Sequence, residues 1–206
     1  MPEAVVLVFA KAPQPGRVKT RLIPAIGADG AAALHERLVR ETLARICGQP
    51  GLAVELWCAP DPGHALFAEL ARAHALTLRR QCEGDLGARL WHAAARALRD
   101  APRVLLVGSD CPELDGTYLR EAAALLCRPD TDAVLGPAVD GGYVLLGLKR
   151  AEVALFTGMP WGSDRVAALT RERMQRLDWR WRELPALRDV DRPEDLRWYR
   201  EARRAP

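Results

Sequence analysis

Several familiar signatures are missing from this 206-residue chain, and each absence removes a class of function. No apolar run approaches the roughly 20 residues of a membrane-spanning helix, so no membrane span is expected. No GxxxxGK[ST] is present; the fragment GRVKT (16–20) lacks the first half of a P-loop. No GxGxxG follows the first apolar run, which disfavours a dinucleotide-dependent dehydrogenase. GxSxG, HExxH and a Cys/His nucleophile pair are also missing. The five cysteines, Cys47, Cys58, Cys82, Cys111 and Cys127, form no CxxC, and no histidine lies at ligand spacing from them. An odd set of unpaired thiols points to a reducing, cytoplasmic setting rather than to disulfides or zinc. Cys111, flanked by Asp110 and Pro112, is a weak nucleophile candidate. Lysine is scarce: Lys11, Lys19 and Lys149 stand against 27 arginines. The net charge of +3 is too small to argue for nucleic acid by itself.

What remains is a globular composition, 49% hydrophobic and 28% charged, in a chain long enough for one domain with a substantial core. Apolar runs at 4–10, 52–59, 76–81 and 103–109 read as strands, and segments with helical spacing lie between them at 28–48, 63–74, 86–99 and 115–127. The N-terminal run has an acid before it and no basic n-region, so it reads as a strand rather than a leader. Strand alternating with helix predicts a layered α/β domain spanning 1–206, and strands apolar on both faces predict a mostly parallel sheet covered on both sides. The rhythm breaks at 131–137 and 143–148, two strands separated by AVDGG, which makes the sheet mixed. A helix from Ser163 to Leu177, a strand at 179–184 and a helix from about Pro193 to Arg203 close the chain.

In open α/β sheets ligands bind beyond the carboxyl ends of the strands, and the unusual residues collect there. After the first strand comes KAPQPGRVKTRL, with Lys11, Arg17, Lys19 and Arg21 around Gly16 and two prolines. A bent, basic loop leaving a buried strand suits phosphate oxygens, although a solvated basic loop gives the same composition. Two of the three lysines sit in it, where the slender ammonium differs in kind from the planar guanidinium. QCEGDLGARL follows the third strand, presenting Gln81, Gly84, Asp85, Leu86 and Gly87 at a helix start that can bind an anion or base edge, or simply turn the chain. GSDCPEL follows the fourth strand and carries Ser109 and Asp110. A carboxylate held at a strand end opposite a phosphate loop is placed to ligate Mg²⁺ or Mn²⁺. The alternative, a helix cap, falls more naturally to Asp115. A second carboxylate is needed: Asp191, Asp189 and Asp140 are available, with Asp191 also readable as the cap of the helix that Pro193 opens. Asp140, Gly141, Gly142 and Tyr143 form either a ligand-lining turn or a plain hairpin. Trp161 and Ser163, in PWGSDRV, suit an acceptor pocket or a helix-start staple with Ser163 as cap. Histidines 35, 64, 74 and 92 show no ligand spacing and read as structural.

The set FAKAPQPGRVKTRL, QCEGDLGARL, GSDCPEL, GPAVDGGYVLLG, PWGS and DVDRPEDL resembles a bacterial family of glycosyltransferase-A-like transferases, over residues 4–198. Some members are named glycosyltransferases of arsenosugar biosynthesis. The family is similar to small nucleotidyltransferases of molybdenum cofactor and coenzyme F420 synthesis. The resemblance implies a three-layer sandwich of the nucleotide-diphospho-sugar transferase type. It places Lys19, Arg21 and Arg17 on nucleotide phosphates, Gln81 and the 84–87 turn near the base, and Asp110 and Asp191 on Mg²⁺. Gly141, Gly142 and Tyr143 fall on the acceptor side, and Ser163 stands where a threonine is expected. The expected partners are a nucleotide, as NTP or nucleotide-sugar, and a small acceptor. Three or four cations match a triphosphate better than a diphosphate, which favours transfer of a nucleotidyl group to a phosphorylated or carboxylated acceptor. Glycosyl transfer is the alternative and a non-catalytic nucleotide-binding module the third reading.

Overall fold

Each strand buries what its sequence predicts, on both faces. In β1 (Ala4–Lys11), Ala4, Val6 and Val8 enter one core while Val5 and Leu7 enter another. The computed structural model describes residues 2–203. After β1 come α1 (Ile23–Ile46), β2 (Leu52–Ala59), α2 (Ala65–His74), β3 (Thr77–Arg80), α3 (Leu86–Ala97), β4 (Val104–Val107) and α4 (Gly116–Cys127). Then follow β5 (Ala133–Pro137), β6 (Tyr143–Leu148), α5 (Val166–Arg176), β7 (Trp181–Glu183) and α6 (Asp195–Ala202). One seven-stranded sheet runs in the order β3-β2-β1-β4-β6-β5-β7. Its pairings are parallel except those of β6, which runs against both β4 and β5.

The layers follow from the two cores. Helices α1, α2 and α4 cover one face through Val39, Leu43, Phe67, Leu119 and Leu126. Helices α3 and α5 cover the other through Leu90, Ala94 and Met174, with Phe156 and Trp179. This is the expected α/β three-layer sandwich with a mostly parallel, mixed sheet. A third cluster joins Leu34 and Leu38 of α1 to Val190 and to Leu196 and Tyr199 of α6, so the C-terminal helix packs beside the start of α1.

Some boundaries differ from the sequence reading, each for a local reason. Helix α1 begins at Ile23, but Gly27, at φ 74° and ψ 166°, breaks it, so the regular part starts where the apolar spacing starts. The Asp115 carboxylate accepts from the Tyr118 amide at 2.8 Å and caps α4. Asp115→Ala should lower stability by about 1 kcal/mol, measured by urea unfolding. Helix α5 starts at Val166, not at Ser163, whose hydroxyl accepts instead from the Arg165 amide within the preceding turn. The helix expected from Pro193 starts at Asp195.

Strand order 2-1-4 puts a switch in the winding between β1 and β4. The chain leaves β1 toward β2 on one side, and β4 lies on the other. Such a point opens a crevice at the carboxyl ends, and the segments leaving β1 and β4 are 12–22 and 108–115.

Candidate active site

At that switch point lies a cleft of about 730 Å³, within the range of small-molecule sites. It draws residues from every loop singled out in the sequence. The first loop supplies Lys11, Arg17, Lys19 and Arg21; the β3 end supplies Gln81, and the start of α3 supplies Gly84, Asp85 and Leu86. The end of β4 adds Ser109 and Asp110, and the β5–β6 connection adds Asp140, Gly142 and Tyr143. Trp161, Ser163, Asp189 and Asp191 complete the wall. Gly16, Gly87 and Gly141 are not among the lining residues. Gly16 is a turn residue at φ 76°. Gly87 packs under the Phe156 carbonyl and the Trp161 indole. Gly141, at φ 92°, lies against the backbone of Asp164.

Charge is the organising feature. Lys19 Nζ donates to Asp110 Oδ2 at 2.8 Å and lies 3.9 Å from Asp191 Oδ1. Its side chain is only 5% exposed. Arg21 pairs with the other oxygen of Asp191 and donates to the Gly162 carbonyl at 3.1 Å. Packing pushes the Asp110 carboxyl up, but the charge and hydrogen bond of Lys19, assisted by His35, outweigh it and hold it below the usual range. Asp189 is the opposite case. Burial, and then the neighbouring charges of Asp110 and Asp140, push its carboxyl up to about 7.

The backbone explains why these distant residues meet. The Val190 amide donates to the Asp110 carbonyl at 2.9 Å, and the Leu187 amide to the Pro137 carbonyl at 3.1 Å. Tyr118 Oη donates to the Pro185 carbonyl at 2.9 Å. These bonds hold the segment after β7 along β5 and carry Asp191 to Asp110. Asp191 does not cap α6. The Asp195 carboxylate instead reaches back to the amides of Asp191 and Arg192, at 2.9 and 2.7 Å. The Asp191 carboxylate itself faces Lys19 and Arg21 instead of the helix start.

The remaining loops have equally local causes. Asp85 caps α3 by accepting from the Ala88 amide at 2.8 Å. Gln81 is buried, and its Nε2 donates to the carbonyls of Trp57 at 2.8 Å and Ala10 at 3.3 Å. That fixes the amide and joins the ends of β1, β2 and β3. Asp140 accepts from the Gly142 amide at 2.9 Å, closing the turn between antiparallel β5 and β6. The turn is a hairpin, and its Asp140 and Gly142 also line the cleft. Tyr143 meets Trp161 edge to face, with ring centres 6.2 Å apart.

Sequence reasoning missed His35, Phe9 and Arg89, all of which line the cleft. His35 keeps the structural character read from the sequence: it is buried, and its Nε2 lies 2.9 Å from the Lys11 carbonyl, where the first loop begins. Burial holds its imidazole below the usual range, the bond to Lys11 opposing and the charge of Lys19 adding to the effect. The available signal was its place four residues before Val39 on the apolar stripe of α1. Among the described residues all five cysteines are free, and no three His, Cys, Asp or Glu side chains converge as a ready-made metal cage. Among the same residues no helix is long and apolar enough to cross a membrane.

Comparison with known proteins gives this geometry a context. Residues 42–163 match the family model described as an uncharacterized protein conserved in bacteria, DUF2064. No curated protein matches the chain. A crystal structure from Desulfovibrio desulfuricans G20, of a protein provisionally named a nucleotide-diphospho-sugar transferase, is 34% identical. It aligns over 93% of this chain and 84% of its own at a TM-score of 0.81. More distant structures share the fold. A cytidylyltransferase from Leptospira borgpetersenii is 16% identical over 95% of this chain and 84% of its own, at a TM-score of 0.57. A mannosyltransferase from Pyrobaculum calidifontis, in complex with GDP-Man and Mn²⁺, is 17% identical over 98% of this chain and 61% of its own, at a TM-score of 0.60. The structural neighbours are thus nucleotidyl- and glycosyltransferases, and the sheet is that of the nucleotide-diphospho-sugar transferase fold.

Proposed function

The chain belongs to the bacterial family DUF2064, and from that premise we propose that it is a metal-dependent, nucleotide-using transferase acting as one domain. The reaction we assign it is nucleotidyl transfer from an NTP to a small phosphorylated or carboxylated acceptor, with release of pyrophosphate. The observation that carries this reading is the meeting of a four-cation loop with Asp110 and Asp191 in one cleft.

The donor set suits a hard divalent cation. Lys19 Nζ marks a position between two carboxylates that a cation already favours, and Mg²⁺ is commonly held by one or two carboxylates plus substrate phosphates. Asp110 and Asp191 would hold it, and phosphate oxygens would complete the shell that the protein leaves open. A bound Mg²⁺ or Mn²⁺ would neutralise charge on the phosphates. Lys11, Arg17, Lys19 and Arg21 would then orient the β- and γ-phosphates and stabilise the departing anion. Gln81 and the start of α3 would seat the base, with Phe9 beneath. Asp140, Gly142 and Tyr143 would face the acceptor, beside Trp161 and Ser163.

Glycosyl transfer from a nucleotide-sugar is the second reading, favoured by the nucleotide-diphospho-sugar transferase name of the 34% identical structure. One experiment separates the two. The protein is incubated with Mg²⁺, each NTP or nucleotide-sugar, and a pool of phosphorylated and carboxylated metabolites, and the small products are followed. Metal-dependent pyrophosphate supports nucleotidyl transfer. Nucleoside diphosphate without pyrophosphate overturns it in favour of glycosyl transfer. Tight nucleotide binding with no product leaves a binding module.

A further inference from the structure

We propose that Lys19 is a built-in counter-ion that occupies the place of the metal between Asp110 and Asp191, so that the metal is taken up together with a nucleotide rather than before it. This rests on the metal-binding reading of the two carboxylates given above.

The ammonium is already where a divalent ion would sit, 2.8 Å from one carboxylate and 3.9 Å from the other. It is sealed there, at 5% exposure. The backbone aims it inward: Lys19 is left-handed, at φ 46° and ψ 42°, a conformation a lysine adopts only where its surroundings impose it. Arg21 closes the outer side of Asp191. A divalent ion arriving alone would have to displace an ammonium hydrogen-bonded to Asp110 and 3.9 Å from Asp191, with nothing to compensate the lost pairing. A nucleotide changes the balance because its phosphates offer Lys19 a new partner.

Two further observations fit an exchange. Lys11 and Arg17 line the same cleft, and neither takes part in an ion pair among the described residues. Phosphates therefore have cations to land on while Lys19 is still engaged. The residue type also matters. A lysine ammonium is a point charge on a flexible stem and can move from carboxylate to phosphate, whereas a guanidinium fork is held by its geometry. A chain with 27 arginines and three lysines places lysine here. Reciprocity then requires that the nucleotide raise metal affinity by the same factor as the metal raises nucleotide affinity.

The test uses Mn²⁺ alone, titrated into the full chain with free Mn²⁺ read by electron paramagnetic resonance. Lys19→Met removes the charge while keeping the bulk, and it should bind Mn²⁺ at least about tenfold tighter than the wild type. Lys19→Arg should remain as weak as the wild type, and Lys11→Met, which removes a charge elsewhere in the cleft, should change affinity far less. Lys19→Gln provides a second uncharged variant, and circular dichroism melts confirm that each variant is folded. Wild-type affinity in both uncharged variants would overturn the proposal. The background reading is separable. If Asp110→Asn abolishes Mn²⁺ binding while Lys19→Met leaves it unchanged, the metal site stands and only the exchange falls. Binding indifferent to Asp110→Asn in either background removes both.

Discussion

Asp110→Asn should abolish metal-dependent nucleotide binding and lower turnover by more than about a hundredfold. Outer-shell partners of metal ligands already cost 10–100-fold when removed, and Asp110 would be a ligand itself. The substitution keeps the size and the backbone bond to Val190 but removes the charge that faces Lys19 at 2.8 Å. Calorimetry with nucleotide in the presence and absence of Mg²⁺ is the direct check, beside the product assay. Nucleotide binding that keeps its full metal dependence in Asp110→Asn would remove Asp110 from the metal site. The stability consequence separates from the functional one. The variant loses an ion pair that is partly exposed on the aspartate side, at 39%, so thermal melting should shift far less than activity does.

Gly141→Ala should be the most damaging substitution in the acceptor half of the cleft, although Gly141 does not line it. Its backbone sits at φ 92°, outside the range of an L side chain, and a Cβ there would lie 2.1 Å from the carbonyl oxygen of Asp164. Neither partner can yield cheaply. The Gly141 carbonyl accepts from the Ala167 amide at 2.9 Å in the first turn of α5, and the Asp140 carboxylate closes the turn onto Gly142. Relieving the clash therefore means separating the β5–β6 hairpin from α5. Backbone strain and overpacking each cost about 1–3 kcal/mol, and acting together they should remove roughly 3 kcal/mol or more. Urea unfolding measures this directly; a variant within about 0.5 kcal/mol of wild type would show that the contact is not a constraint. Because Asp140, Tyr143 and Ser163 share this corner of the cleft, the folded fraction of the variant should also lose activity.

These two positions show what was legible in the sequence. Asp110 was legible because its setting is local: an apolar run, a small residue, a carboxylate and a proline identify a strand end in any order of folding. Alternation of apolar runs and helical stretches likewise announced the layers, and the interval AVDGG announced the reversed strand. The partners of Asp110 were less accessible. Lys19 is 91 residues away in the chain, and Arg21 meets Asp191 across 170. Loop convergence suggested that these residues share an edge, but not that the lysine already engages the carboxylates. Pairing of that kind is decided by the run of 184–190 along β5, a tertiary event with no local pattern. Gly87 and Gly141 show the same limit from the other side. Gly87 in the first turn of α3 and Gly141 in the hairpin turn both fall in segments that suggested ligand approach, and in both the close neighbour is the protein's own backbone. Ser163 is not the cap because its hydroxyl closes a turn onto the Arg165 amide before α5 begins, and Asp191 is not because its carboxylate is held by Lys19 and Arg21 from the distant first loop.

The reversal of β6 decides how a change at the cleft is transmitted through the molecule. Residues 4–110 reach the cleft from the ends of parallel strands joined by helical crossovers. The β5–β6 hairpin reaches the same cleft through one short turn, 138–142, whose two strands pair directly with each other. Its tip is also held from outside the pair, since the Val139 amide donates to the Leu187 carbonyl and the Gly141 carbonyl accepts from the Ala167 amide. A change of length there is felt by α5 and by the segment after β7 as well as by the hairpin. Three segments distant in the chain are thus mechanically one at this corner of the cleft.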